Sequence, residues 1–374
     1  MELCHVARKK TVEIGCPGDR TARRLKARGG GCRTPGTNQQ ALKGMGTGVE
    51  ASRGAPATKP PFDRSAWRAR REEKRQRQRA QSVLRAREMH AARLAAGAPD
   101  SATRRPANAL SRRVYVGCSG WFYWHWRGAF YPEGSSTGAW FEHYAKTFHT
   151  VELNAPFYSW PKVSTVEGWR RQAGRKAFTY TVKVSELITH VKRFAGTARL
   201  VADFYHVADL LGPRMGCFLF QLPPSFHYTP ARLRRIVGQL EPGRRNVVEF
   251  RHRSWWNPAV YAAFREQGII FCSCSGPRLP EELVKTTDEV YVRFHGTTRW
   301  YRHDYSDEEL AAWARRVRDS GAKRVWAYFN NDRECYAIKN AKAFERLLKQ
   351  RARAPRGGDA VRAGGATRGG ARRS

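Results

Sequence analysis

Three polar pairs stand one residue apart inside runs of β-branched and aromatic residues: Glu152 and Asn154 in "TVELN", Glu249 and Arg251 in "NVVEFR", Arg293 and His295 in "VYVRFHG". In an extended strand, residues two apart point to the same face, so each pair leaves its strand on one side. Lys183 in "FTYTVKV", Gln221 in "GCFLFQL" and Asn330, Asn331 and Asp332 after "VWAYF" close three further runs of the same kind. Charged groups inside a strand-built interior are costly unless paired or facing a pocket, and charges from several strands offset one another only by converging. The chemistry expected of that convergence is acid/base work by Glu152, Glu249, Lys183 and His295. Arg251 and Arg293 would fork onto a phosphate or carboxylate, with Asn154, Tyr158, Gln221, Asn330 and Asp332 completing the binding set.

A second concentration of chemistry is "CSGWFYWHWRG", Cys118 to Gly128, with five aromatics in eleven residues. It directly follows the first strand-like run. Trp121, Tyr123 and Trp126 are therefore expected to roof the polar cluster, since indole and phenol offer flat surfaces for stacking on a ring together with a donor.

The elements that must position these residues alternate in type. Eight strand candidates (113–118, 150–154, 178–184, 216–222, 246–251, 269–273, 290–296 and 325–330) are separated by segments of helical period at 138–148, 164–172, 198–212, 229–240, 257–268, 306–321 and 336–350. Ser306 with Glu309 three residues on makes a capping box, and only 275–289 lacks a helix pattern. This count predicts an α/β fold, a single TIM-type (β/α)8 barrel over residues 111–350 whose active site lies at the C-terminal ends of the strands. The rival open sheet needs a phosphate fingerprint, and the chain carries no GxGxxG or Walker sequence.

Charge is unevenly spread. Of 69 Lys+Arg and 32 Asp+Glu, residues 1–113 hold 27 and 9, and residues 351–374 hold 7 and 1. Residues 1–110 and 351–374 read as disordered basic tails, dispensable for folding, because they lack the apolar periodicity that offsets chain entropy. Within the first tail, 71–96 is rich in helix formers. No apolar run reaches membrane-spanning length and no secretory segment is evident, so a cytoplasmic protein without membrane association is expected. The eight scattered cysteines show no zinc-type CxxC spacing.

The motifs "VGCSGW…WRGAFYP", "VELNAPFYSWP", "TVKVSELITHVKRF", "FQLPP", "EFRHRSWW", "VYVRFHG" and "AYFNND…AIKNA" resemble, in order and over about residues 114–348, the YecE-like family, domain of unknown function 72. The resemblance implies a TIM-type barrel and no established activity. It also implies a glycine where this chain has Cys335.

The functional expectation is an enzyme acting by acid/base chemistry on a small anionic, ring-containing metabolite. No cofactor is expected. A divalent metal on Glu152, Glu249, His295 and Asp332 is the rival arrangement, weakened by three adjacent cations and by the lack of HxH or HExxH spacing. The alternative from another class is a nucleic-acid-binding module using the aromatic and cationic mouth with the basic tails.

Overall fold

The computed structural model describes residues 63–97 and 112–350. Eight strands follow in chain order: β1 (Val114–Cys118), β2 (Thr150–Leu153), β3 (Thr179–Lys183), β4 (Met215–Leu222), β5 (Asn246–Phe250), β6 (Ile270–Ser275), β7 (Glu289–Phe294) and β8 (Arg324–Phe329). All pair in parallel in the order β1-β8-β7-β6-β5-β4-β3-β2, as expected of a TIM-type barrel. The connecting helices are α2 (Trp140–Thr147), the short α3 (Ala155–Tyr158), α4 (Val163–Ala173), α5 (Ala198–Leu211), α6 (Pro230–Val237), α7 (Pro258–Glu266), α8 (Asp307–Asp319) and α9 (Tyr336–Lys349). The segment between β6 and β7 carries no helix, and Ser306 and Glu309 form the expected capping box at α8.

The barrel closes in two different ways. Seven neighbouring pairs share backbone ladders. Between β1 and β2 a side chain substitutes for the ladder: the Tyr144 hydroxyl of α2 accepts from the Cys118 N–H (2.9 Å) and donates to the Thr150 carbonyl (3.0 Å). Gly117 is what permits this approach. A Cβ there would lie 2.4 Å from the Thr150 carbonyl oxygen and 3.0 Å from the Tyr144 hydroxyl.

Alternation along each strand separates two cores. Outward residues such as Val116, Val151, Val182, Phe220, Phe250 and Phe294 pack beneath the helices. Inward residues Tyr115, Cys217, Leu219, Val247, Ile270, Cys272, Tyr291, Trp326 and Tyr328 fill the barrel. Tyr115 stacks on Trp326 at 4.3 Å at the N-terminal end, where Glu289 accepts from Trp326 Nε1 (2.7 Å), Arg245 and Arg324. One layer higher, the Tyr328 hydroxyl meets Thr150 (2.7 Å) and Thr181 (2.9 Å).

Within the expected N-terminal tail, the stretch rich in helix formers is folded and docked. Residues 64–95 form one helix, α1 (Arg64–Ala95), capped by the Asp63 carboxylate, which accepts from the Ser65 and Ala66 N–H groups. Its C-terminal half docks on the barrel's outer layer, burying Ser82, Ala86 and Met89. Asp203 of α5, itself buried, accepts from Arg93 (2.9 Å) and lies 2.8 Å from His90. Glu186, just after β3, faces Arg79 (3.1 Å) and Arg75 (3.6 Å). The apolar stripe is only three small or flexible residues wide, too narrow to register as amphipathic period. Charge pairing with two buried carboxylates supplies what area does not. The remainder of the expected tails, residues 1–62, 98–110 and 351–374, lies outside the described residues, as does residue 111 of the expected barrel.

The last βα loop holds the departure noted in the sequence. Glu334 and Cys335 sit at φ of 56° and 63°, the left-handed region that glycine adopts freely and other residues rarely.

Three outcomes follow for stability. A chain beginning at residue 98 should melt below one beginning at residue 63, because Asp203 and Glu186 lose their cations while Met89 and Ala86 leave the interface; equal melting temperatures would return α1 to the role of a solvated tail. Tyr144→Phe should cost about 1–3 kcal/mol in denaturant unfolding, since it strands a buried N–H and a buried carbonyl together. Gly117→Ala should cost more than Tyr144→Phe, because its clash is with backbone.

Candidate active site

The inward positions at the C-terminal ends of the strands bring the expected residues together. Arg293 of β7 lies at the centre, 1% exposed, and reaches across the barrel to two carboxylates. Its Nη1 donates to Glu249 Oε2 (2.6 Å) and its Nη2 to Glu152 Oε1. Glu152 is pinned further by Ser119 Oγ (2.8 Å) and the Tyr291 hydroxyl (2.7 Å). Glu249 also accepts from Arg251 Nε. Burial opposes the charge on Glu249, but Arg251 and Arg293 hold its carboxyl well below the usual carboxylate range. Both carboxylates therefore stand as counter-ions to buried guanidiniums.

The remaining groups are less consumed. Arg251 Nη2 lies 3.0 Å from His295 Nε2, and the guanidinium carbon lies 4.3 Å from the Trp300 ring centroid. A guanidinium only donates, so Nε2 accepts and the neutral ring carries its proton on Nδ1, which can donate to Asn330 only when that amide turns its oxygen to the ring in place of the nitrogen that stands 3.4 Å away. Burial and then the charge of Arg251 keep the His295 imidazole well below its ordinary range. Lys183, buried at 8% exposure, makes no hydrogen bond or ion pair to the described residues; its ammonium sits 3.9 Å from the Phe157 ring centroid. Burial, and next the charge of Arg293, push its amine down to about 7, only partly offset by Glu249. His190, edge-on to the same Phe157 ring at 4.9 Å, is pushed down to about 3 by burial and by Lys183.

Asn154 and Gln221 join the rim. The Asn154 amide donates to the Ser119 carbonyl (3.0 Å) while its own oxygen is buried without a partner, and Gln221 Nε2 donates to the Leu222 carbonyl (2.8 Å). Tyr158 is 54% exposed.

Trp126 and Asp332 are placed differently from the expectation. Trp126 is fully buried, and its indole N–H donates to Asp332 Oδ1 (2.7 Å), while the second Asp332 oxygen faces His125 at 3.0 Å. The pair stitches the first βα loop to the last instead of facing a ligand. Trp121 packs edge-on against Phe141 at 5.2 Å, and the Tyr123 hydroxyl donates to the Ser119 carbonyl (2.7 Å). The physical reason is proximity: α2 presents Trp140, Phe141 and Tyr144, and the aromatic loop buries itself on that stripe rather than spanning the mouth. Asn331 is likewise structural, donating to the His303 carbonyl and to Asn340, both at 2.7 Å.

Other residues take the roof. Trp300 covers Arg251, and Tyr301, 46% exposed, stands edge-on to His295 at 5.9 Å. Ser119 and Tyr291 share strand parity with Gly117 and Arg293 and were within reach of the alternation argument. Trp300 and Tyr301 lie in a loop without periodicity and carried no such signal. Glu249, Cys274 and His295 also offer donor atoms within 4.8 Å of one another. Glu249 already accepts from two guanidiniums and Arg251 lies against the imidazole, so the donor set suits cations already in place better than a divalent ion.

Eight parallel strands alternating with helices, and a charged mouth at the strands' C-terminal ends, define a TIM-type barrel. The chain belongs to the family described as protein of unknown function DUF72, whose model matches residues 115–362. It is 27% identical over 274 residues to the UPF0759 protein YunF of Bacillus subtilis, covering 63% of this chain and 94% of that protein. It is 34% identical over 114 residues to the UPF0759 protein YecE of Escherichia coli, 30% of this chain and 41% of that protein. A DUF72 family protein from Thermotoga maritima has a similar crystal structure, with a TM-score of 0.59 and 28% identity over 64% of this chain and 100% of that one. Among the described residues, no helix is long and apolar enough to cross a membrane.

The Lys183 environment sets a pH dependence. Below about pH 7 the folded and unfolded chains both carry the ammonium and its burial penalty is fully present; above it, the unfolded chain alone holds the proton, so stability rises with pH. Relative to Lys183→Met, the wild type should gain about 2 kcal/mol between pH 7.5 and 9, at roughly 1.4 kcal/mol per pH unit. Denaturant unfolding of both proteins across that range checks it, and a pH-independent difference would show an ordinary lysine.

Proposed function

We propose that this protein is an enzyme that turns over a small anionic, ring-bearing metabolite by proton transfer at the C-terminal mouth of the barrel. The observation that supports this reading is a set of donors left over after the internal ion pairs are made. Lys183 has no acceptor among the described residues, and neither does Arg251 Nη1. A phosphate or carboxylate would supply the acceptor that both lack. Trp300, Tyr301 and Tyr158 offer ring faces beside it. Lys183 then exchanges the proton, its amine near half-protonation at neutral pH, with neutral His295 as a second relay. Glu152 and Glu249 hold the guanidiniums in place.

A second reading, nucleic-acid binding, draws on α1. Residues 64–79 carry eight basic and two acidic side chains and are mostly exposed, a density suited to phosphate backbones.

Pooled phosphorylated and carboxylated metabolites, followed by NMR with wild-type protein, test the first reading. Turnover should fall at least about 100-fold in Lys183→Met, while Arg251→Met should act mainly on KM. Binding without turnover in every pool would make the mouth a binding site and end the enzyme reading. Salt-dependent retardation of single-stranded oligonucleotides, lost on neutralising Arg68, Arg70 and Arg71, would favour the second reading.

A further inference from the structure

We propose that Lys183 is a covalent nucleophile, whose amine condenses with the carbonyl carbon of a small anionic aldehyde or ketone, an oxo acid or a carbonyl phosphate, to give a protonated imine. The inference rests on the acid/base reading of the same mouth and names the substrate's reactive group.

Geometry carries it. Lys183 ends β3 and points into the barrel, where active sites of this architecture lie. A lysine serving as a structural counter-ion would be hydrogen-bonded to a carboxylate. Both carboxylates in reach are instead saturated by Arg293, Arg251, Ser119 and Tyr291. The amine is held over an apolar ring, Phe157, with its lone pair uncommitted whenever it is neutral. Burial together with two flanking guanidiniums is the environment that activates amines for imine chemistry. The groups that act on its charge are Arg293, Glu249, Arg251 and Glu152, with His190 beside Phe157.

The step balances without an added oxidant or reductant. The nitrogen lone pair forms the C–N bond and the carbonyl π pair moves to oxygen. One amine proton passes through His190 or water to that oxygen, giving the carbinolamine. With one further proton from solvent the hydroxyl leaves as water, and the remaining N–H stays on the iminium. Glu249 and Glu152 offset that positive charge, while Arg251 Nη1 takes the substrate's anionic group. The iminium then serves as an electron sink for loss of an adjacent proton or cleavage of an adjacent bond.

Reductive trapping tests it. Full-length protein at pH 7 is treated with sodium cyanoborohydride and glyoxylate, glycolaldehyde phosphate or neutral glycolaldehyde, and modified lysines are located by peptide mapping. Lys183 should be labelled at least about tenfold faster than exposed Lys146 and Lys323. Both anionic probes should outpace the neutral one, and whichever is faster identifies an oxo acid or a carbonyl phosphate as the source. Labelling of surface lysines with Lys183 untouched overturns the proposal, on wild-type protein and so independently of whether any variant folds. Equal rates with the neutral probe overturn the anionic class. Turnover in the metabolite pools with Lys183 untrapped sinks the imine alone, whereas absence of both sinks the acid/base reading with it.

Discussion

Arg293 holds two carboxylates from opposite walls of the barrel, and the arrangement of the mouth depends on it. A charge at 1% exposure is tolerable only because Glu249 and Glu152 each give it a charge-assisted bond, and each carboxylate in turn has further donors of its own. With both carboxylates committed, Arg251 is drawn to Glu249, His295 is kept neutral by burial and by the cations around it, and Lys183 is left as the one amine among them without a counter-ion. Among the described residues the network leaves Lys183 and Arg251 Nη1 without acceptors, as well as the buried Nε of Arg293, and the first two are complementary to an anion.

The outer shell supports that centre from outside the mouth. α1 clamps Glu186, three residues beyond Lys183, and the turn Leu187–Val191 that follows packs His190 against Phe157. Trp126 and Asp332 join the first loop to the last across the ladder between β1 and β8. These are positional devices built from residue types that elsewhere bind ligands, which is why residue type alone misassigns them.

The eight strands and their inward residues were legible because alternation with period two is a local property, readable wherever a polar residue interrupts an apolar run. Glu152, Lys183, Glu249, Arg251, Arg293 and His295 were all found in this way. What could not be read was pairing across long sequence separations. Asp332 ends a strand as the others do, yet Trp126, 206 residues earlier, takes its oxygen. The docking of α1 depends on Asp203 and Glu186, carboxylates more than 100 residues away. Tyr144 reads as one more aromatic on a helix face, and only the three-dimensional meeting of Cys118 and Thr150 gives its hydroxyl a purpose.

That hydroxyl makes the barrel mechanically unequal around its circumference. Seven joints are backbone ladders, while the joint between β1 and β2 is made by side chains: the Tyr144 hydroxyl at the close fit of Gly117, and just above it Ser119 with Glu152 and Asn154. A hoop yields first at its weakest stave, and local opening follows the fewest bonds. The staves on either side carry Ser119, Glu152 and Asn154, one wall of the mouth, whereas Glu249, Arg251, Arg293 and His295 stand on the continuously laddered part. Loosening of the side-chain joint would therefore be felt first in the wall bearing Glu152, and would pass through Arg293 to the cationic half.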